Sequence, residues 1–227
     1  MIIGAKLGMI APAVATVTYT DKGESTSAGA TQTFLARAIG AAAANRDVFV
    51  CVSAGKGTNT TLAVSSMTIQ GISAGLVVAG DHDVGGNTHI FEIWKAAVPT
   101  LTTADVVVTI NASVSSCGIA VFSSVGAAAA ATATATNSSD PMNASINVPS
   151  GGFLIGYATW NQATPPTDST WTNLTQRLAA TSVDASFYHT AASDNFAASQ
   201  TGLSVTNDPN AALTDRWGMV LASFGPA

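Results

Sequence analysis

One stretch, residues 104–126, constrains the fold of this chain more than any other. Its first part, Asp105–Ile110 (DVVVTI), alternates between two faces with the period of two that is typical of a half-buried strand. A short polar break follows at Asn111–Ser116, and a second alternating run extends from Ile119 to Val125. β-Branched residues on both sides of a polar break predict an antiparallel hairpin at the centre of a sheet.

The end of this stretch recurs later in the chain, since Gly118–Gly126 (GIAVFSSVG) has a counterpart in Gly218–Gly225 (GMVLASFG). Other segments match in the same order: Asp47–Ala54 with Gly152–Thr159, Val64–Ile72 with Ser169–Leu178, His89–Lys95 with Val183–Thr190, and the arms of the predicted hairpin with Leu203–Thr206 and Arg216–Phe224. An offset of roughly 100 residues that preserves order and spacing indicates an internal duplication.

Two sets of about four strands with no convincing helix predict an all-β, two-sheet, antiparallel jelly-roll-like sandwich of about eight strands. We expect residues 33–227 to form a single domain whose pseudo-repeat halves span about 46–126 and 151–226. Residues 1–32 would supply an N-terminal arm and the first strand. Within them, Met1–Thr20 would reach onto a neighbouring subunit.

Charge is scarce, because only 9% of the 227 residues are charged whereas soluble domains average about 25%. The low charge favours a surface that neighbouring subunits cover, although a neutral surface rich in Thr and Ser is the alternative. The net charge is −5 and the eight Lys and Arg residues are scattered, which argues against nucleic acid as a partner. No segment is long and apolar enough to predict a membrane span.

The segments DVFVCVSA, SSMTIQGI, IFEIWKAAVPT, ADVVVTI and GIAVFSSVGA, followed by GGFLIGYATW and a closing WGMVLASFGPA, resemble a β-sandwich module of tailed-phage virion structural proteins. The similarity covers roughly residues 33–227. It implies a structural or adhesive role in tails, fibres or head decorations, and it transfers no catalytic residue. We therefore expect a non-enzymatic virion protein that forms a homo-oligomer and contacts other virion proteins.

A second hypothesis is a module that binds a glycan on a host surface. Trp160, Trp171 and Tyr188 lie at or near the ends of predicted strands, close in sequence to Asn161 and Asp168. Flat aromatic rings with amides and carboxylates nearby are what a sugar-binding face requires, although aromatic residues in sandwiches are also routinely buried in the core.

The predicted loop Gly80–Asn87 carries Asp81, His82 and Asp83, the densest set of potential metal ligands. It offers too few oxygen ligands for Ca²⁺, so we expect neither a metal nor any other cofactor.

Enzymatic activity is not expected. The sequence contains no His-Glu-x-x-His pair and no phosphate-binding glycine loop. The only two cysteines, Cys51 and Cys117, lie in predicted strands, where buried free thiols are expected and a disulfide between them is left open.

Overall fold

The computed structural model describes residues 14–56, 61–85 and 87–227, which form strands, turns and loops but no helix. The N-terminal half of the molecule contains β1 (Thr16–Ser25), β2 (Gly29–Ala38), β3 (Arg46–Lys56), β4 (Val64–Ile69), β5 (Ile72–Ser73), β6 (Gly75–Val84), β7 (Asn87–Ala97), β8 (Thr103–Val114) and β9 (Ser116–Val125). The C-terminal half contains β10 (Ala133–Asn137), β11 (Met142–Val148), β12 (Gly152–Asn161), β13 (Thr170–Thr172), β14 (Gln176–Ser182), β15 (Phe187–Phe196), β16 (Gln200–Asp208) and β17 (Arg216–Phe224).

These strands form four antiparallel sheets, two from each half. The N-terminal half supplies an outer sheet, β2-β8-β4-β5, and an inner sheet, β1-β9-β3-β7-β6. The C-terminal half supplies an inner sheet, β10-β17-β12-β15-β14, and an outer sheet, β11-β16-β13. The predicted all-β antiparallel sandwich is confirmed. The predicted numbers of two sheets and about eight strands are too low, because each half forms a two-sheet sandwich of its own.

Three hydrophobic cores hold the four sheets in a stack. The first outer core lies within the N-terminal half and includes Met67, Val108 and Val50. The inner core joins the two inner sheets, and the second outer core lies within the C-terminal half. Since each inner sheet faces two cores, its central strands are buried on both faces; all ten residues of β12 are buried.

The two halves have the same strand order. In the N-terminal half the first strand pairs with the last, the second with the last but one, and β3 with β7, which is the nested pairing of a jelly roll. β10, β11 and β12 pair with β17, β16 and β15 in the same nested way. The matched segments in β3 and β12, and those in β9 and β17, occupy equivalent positions, whereas the first half of Val183–Thr190 lies before β15.

The predicted central hairpin is wrong. β8 pairs with β2 and β4 in the outer sheet, whereas β9 pairs with β1 and β3 in the inner sheet. β8 alternates between buried and more exposed residues, while β9 is buried along most of its length. The chain therefore crosses from the outer sheet to the inner sheet at Ser115. The burial patterns differ because the outer sheet has one face in solvent, whereas β9 in the inner sheet is covered on both faces.

Two other predicted segments differ from the structure. Gly80–Val84, expected in a loop, extends β6 and pairs with β7, because the polar residues Asp81 and Asp83 can occupy the exposed face of an edge strand. Of the predicted arm, Met1–Ala13 lies outside the described residues, and Thr16–Thr20 forms the first half of β1 in this chain's own inner sheet.

Candidate functional site: a buried polar cluster between the two halves

The inner core is apolar except at one end, where polar side chains from both halves meet. At this end Gly118, Ser53 and Phe91 lie side by side on the N-terminal sheet. The equivalent row of the C-terminal sheet is Gly218, Thr159 and His189. The two rows therefore place the hydroxyl groups of Ser53 and Thr159 at corresponding positions of the two jelly rolls.

Each glycine in these rows leaves space for a ring from the opposite half. A Cβ atom on Gly118 would lie 3.0 Å from Nδ1 of His189, and one on Gly218 would overlap the Phe91 ring. The contact between the halves is thus approximately two-fold symmetric, with an aromatic or imidazole ring of one half seated on a glycine of the other.

His189 is the centre of a hydrogen-bonded chain. Its Nε2 lies 3.3 Å from Oε1 of Glu24, and its Nδ1 lies 2.9 Å from the hydroxyl of Tyr157. Because a carboxylate only accepts, Nε2 carries the proton and Nδ1 accepts from Tyr157, whose hydroxyl in turn lies 2.6 Å from Oγ of Ser53. Lys22 closes the chain at the surface with an ion pair of 3.0 Å to Glu24.

Burial is the largest influence on the pKa values of these hydrogen-bonded side chains. It lowers the pKa of His189, although the hydrogen bond to Glu24 opposes the shift, and it raises the pKa of Tyr157 well above its ordinary value. Burial alone would raise the pKa of Glu24, but hydrogen bonds from His189 and Lys22 hold that pKa below its ordinary value. At neutral pH the chain therefore holds a neutral imidazole beside a charged carboxylate.

His89 contacts the C-terminal half in a different way. Its Nε2 lies 2.9 Å from Oγ1 of Thr159, which donates to the Tyr188 carbonyl, so Nε2 carries the proton. Its Nδ1 is buried and has no hydrogen-bond partner, and its ring packs edge-on against Phe187 at 4.7 Å. Burial, and then the charge of Arg216, lowers the pKa of His89 to about 3.

His82, the third of the three histidines in the chain, also contacts the C-terminal half. Its Nδ1 accepts a hydrogen bond of 3.1 Å from the backbone N–H of Trp217, and the two rings meet edge-on at 4.8 Å. Every histidine of this protein thus joins one jelly roll to the other.

The hydroxyl and imidazole groups of the cluster are shielded from solvent, and Glu24 and Lys22 connect it to the surface. Ser53, His89 and His189 are all fully buried. The described residues contain no group of three His, Cys, Asp or Glu side chains that could hold a metal ion.

The aromatic residues predicted to bind a glycan lie mainly in the second outer core. Trp160 is fully buried and donates to the Pro166 carbonyl, and Trp171 is buried and donates to Thr190. Tyr188 is half-buried and stacks on Trp160 with a centroid distance of 6.2 Å. Neither indole therefore presents a ring face to a sugar, since both rings fill the space between the sheets.

The polar members of that prediction are separated. Asn161 is buried and accepts a hydrogen bond of 2.9 Å from Arg216, whereas Asp168 is exposed on the loop after β12.

The predicted metal ligands are also separated, because successive side chains of β6 point to opposite faces. Asp81 and Asp83 are exposed, while His82 is half-buried and engaged with Trp217.

Cys51 and Cys117 are both buried and free, so the question of a disulfide is answered. Cys51 belongs to the inner core and Cys117 to the first outer core. Burial raises the pKa of both thiols.

Sequence reasoning missed the polar cluster, whose members are spread from Lys22 to Arg216 with no local motif. A usable signal is a polar residue in a strand that is otherwise apolar on both faces, such as Ser53 in DVFVCVSA or Thr159 in GFLIGYAT.

Comparisons with known proteins add little. No protein-family model matches the chain. No curated protein matches it. Among solved structures, the C-terminal domain of the AgI/II polypeptide BspA of Streptococcus agalactiae aligns over 78% of this chain and 75% of that domain, at 10% identity and a TM-score of 0.19. A second structure, BspA_C_WT, aligns at 11% identity with the same TM-score and the same coverage.

The described residues contain no helix able to cross a bilayer.

Proposed function

We propose that this chain is a non-enzymatic structural protein that assembles with copies of itself, and that the assembly belongs to a tailed-phage virion. The resemblance of its sequence to virion β-sandwich modules supports the virion location. The observation that supports the assembly is the unpaired edge of β10, a strand that pairs only with β17 among the described strands.

Edge strands expose unpaired backbone groups, and monomeric proteins protect them with charges, bulges or short length. Among the described edge strands, β1, β2, β6 and β14 carry charged residues and register shifts, β11 carries a register shift, and β5 and β13 have two and three residues. β10 (ATATN) has no charge and an unbroken register. It is the one described edge strand without such protection.

The partner that fits this edge is β10 of a second copy. Two identical uncharged strands pair antiparallel about a two-fold axis without charge repulsion, and their short side chains allow close approach. Beside β10 lies a surface hollow lined by Leu76 and by Ala129–Ala131. Leu76 is 52% exposed, and a paired copy would cover it.

The test introduces charge on this edge. Thr134 and Thr136 are exposed on β10, so the double variant Thr134→Lys/Thr136→Lys should lower the molar mass measured by light scattering to that of one chain. Thr31→Lys/Thr33→Lys is the matched control, because these residues are exposed, two apart, and lie on the protected edge strand β2. The control should keep the mass of the unmodified protein.

An unmodified protein that stays monomeric at high concentration contradicts the assembly, as does an equal effect of both double variants. Peptide mass spectrometry of purified phage particles tests the virion location, which fails if the chain is absent from them.

A further inference from the structure

The titratable groups of this molecule are distributed unequally among its three cores. The inner core ends in the polar cluster with His89 and His189, both fully buried. The first outer core adjoins one buried acid, Glu92, which accepts hydrogen bonds from Val64 and Trp94. Burial raises the pKa of Glu92, so acid favours its folded, neutral form. Acidification therefore opposes the contact between the halves but does not oppose the packing around Glu92.

The geometry around His89 accepts only its neutral form. The groups that face it come from five strands: Gly55 of β3, His82 of β6, Thr159 of β12, Phe187 of β15 and Arg216 of β17. Asp184, on the turn that precedes β15, also faces it. A second proton on Nδ1 would find no acceptor within hydrogen-bonding distance and would place a cation in a fully buried site where the charge of Arg216, itself paired with Asp215, opposes it.

The hydrogen bonds around His189, which is fully buried, also change with the charge of the ring. Gly118 of β9, Tyr157 of β12 and Glu24 of β1 face it, and Lys22 pairs with that glutamate. Protonation would turn Nδ1 from an acceptor into a donor, so the Tyr157 hydroxyl would have to accept from the ring and turn its own proton toward Ser53 or the Gly118 carbonyl, which lies 3.3 Å away. The charged imidazole would still be attracted to Glu24, but only on the Nε2 side of the ring.

We propose that His89 and His189 form a pH-dependent latch between the two jelly rolls: protonation opens the inner interface at this end while both outer cores stay packed. The open form exposes the histidines to water and binds protons that the closed form excludes. Each buried histidine that must charge makes opening about tenfold more favourable per pH unit below its ordinary pKa, until the pKa of the closed form is reached. The latch is independent of assembly through β10.

The two cysteines provide a built-in test in the full chain. Cys51 lies in the inner core and Cys117 in the first outer core, and both are fully buried. A disulfide reagent that reacts in acid, such as 4,4′-dithiodipyridine, is applied at pH 7.5 and pH 5, and labelling at each cysteine is followed by peptide mass spectrometry. The ratio of the two rates cancels the pH dependence of the reagent.

We expect the rate at Cys51 relative to Cys117 to rise at least tenfold from pH 7.5 to pH 5. The double variant His89→Gln/His189→Gln should abolish this rise, whereas His82→Gln, the matched control, should retain it. Equal acceleration at both cysteines would show global unfolding and overturn the latch. An unchanged ratio, or an acid response that persists in the double variant, would overturn it as well. If the double variant fails to fold, the ratio in the unmodified protein decides.

Discussion

At the scale of single residues, the contact between the halves depends on polar atoms that are paired in a buried site. The hydroxyl of Tyr157 is the clearest case, because it lies on a C-terminal strand and contacts both Ser53 of the other half and His189. A buried hydrogen bond contributes modestly when present, but the partners left unpaired by its loss carry a larger cost.

Tyr157→Phe should therefore lower the free energy of unfolding by about 1–3 kcal/mol, because it leaves Ser53 and His189 Nδ1 without their partner. Urea denaturation at pH 7.5 measures the change. Tyr19→Phe is the control, since the Tyr19 hydroxyl makes no hydrogen bond within the described residues. Equal stability of both variants would contradict the assigned hydrogen bonds.

Gly218 tests the close approach of the two sheets. The methyl group of Gly218→Ala would overlap the Phe91 ring, and overpacking of this kind costs about 1–3 kcal/mol. Gly75→Ala meets no atom within 4 Å and serves as the control. Thermal denaturation should show a lower midpoint for the first variant alone; matching midpoints would mean that the inner sheets are further apart.

At the scale of the strand, burial pattern separates outer from inner sheets. β8 alternates because one face of its sheet is solvated, whereas β9 and β12 contact a core on each face. Neighbouring residues of an outer strand should therefore respond very differently to the same substitution.

Val107 and Val108 are a matched pair for testing this difference. Val107 is half-buried on the outer face, whereas Val108 is fully buried in the first outer core. Val108→Thr should cost about 1–3 kcal/mol, because it buries a hydroxyl. Val107→Thr should stay within about 0.5 kcal/mol of the unmodified protein. Chemical denaturation compares them, and a larger loss for Val107→Thr would reverse the assigned faces.

At the scale of the whole molecule, two jelly rolls share an inner core, so the stability of the protein includes the contact between them. That contact holds His89 neutral, with a pKa lowered to about 3 by burial. The unfolded chain takes up a proton near pH 6.5 while the folded chain does not. Stability is therefore complete above pH 6.5 and is lost as the pH falls toward 3.

The expected slope from His89 is about 1.4 kcal/mol per pH unit below pH 6.5, and His189 adds in the same direction. Urea denaturation between pH 8 and pH 5 should show no change above pH 7 and a steep loss below pH 6. His89→Gln should reduce the slope, because glutamine does not titrate. A flat profile through pH 5 in the unmodified protein would contradict the buried neutral histidines.

The sequence by itself determined the class of fold. Alternation and β-branched residues identified strands such as β3, β7 and β12, and the matched segments in β3 and β12 lie at the same place in the strand order of their halves. These features are local, since the period of side-chain exposure is written directly into consecutive residues. The buried position of Cys51 and Cys117 also followed from their apolar surroundings, whereas the structure decided that they are not bonded to each other.

Only the tertiary structure decided which strands are partners and which polar residues meet. A period of two does not say whether β8 pairs with β9 or crosses to another sheet, because pairing depends on residues far apart in the chain. The same holds for the latch: Glu24 and His189 are 165 residues apart. Burial likewise placed Trp160 and Trp171 in a core, since an aromatic residue at a strand end reads the same in the sequence whether its ring faces water or the opposite sheet.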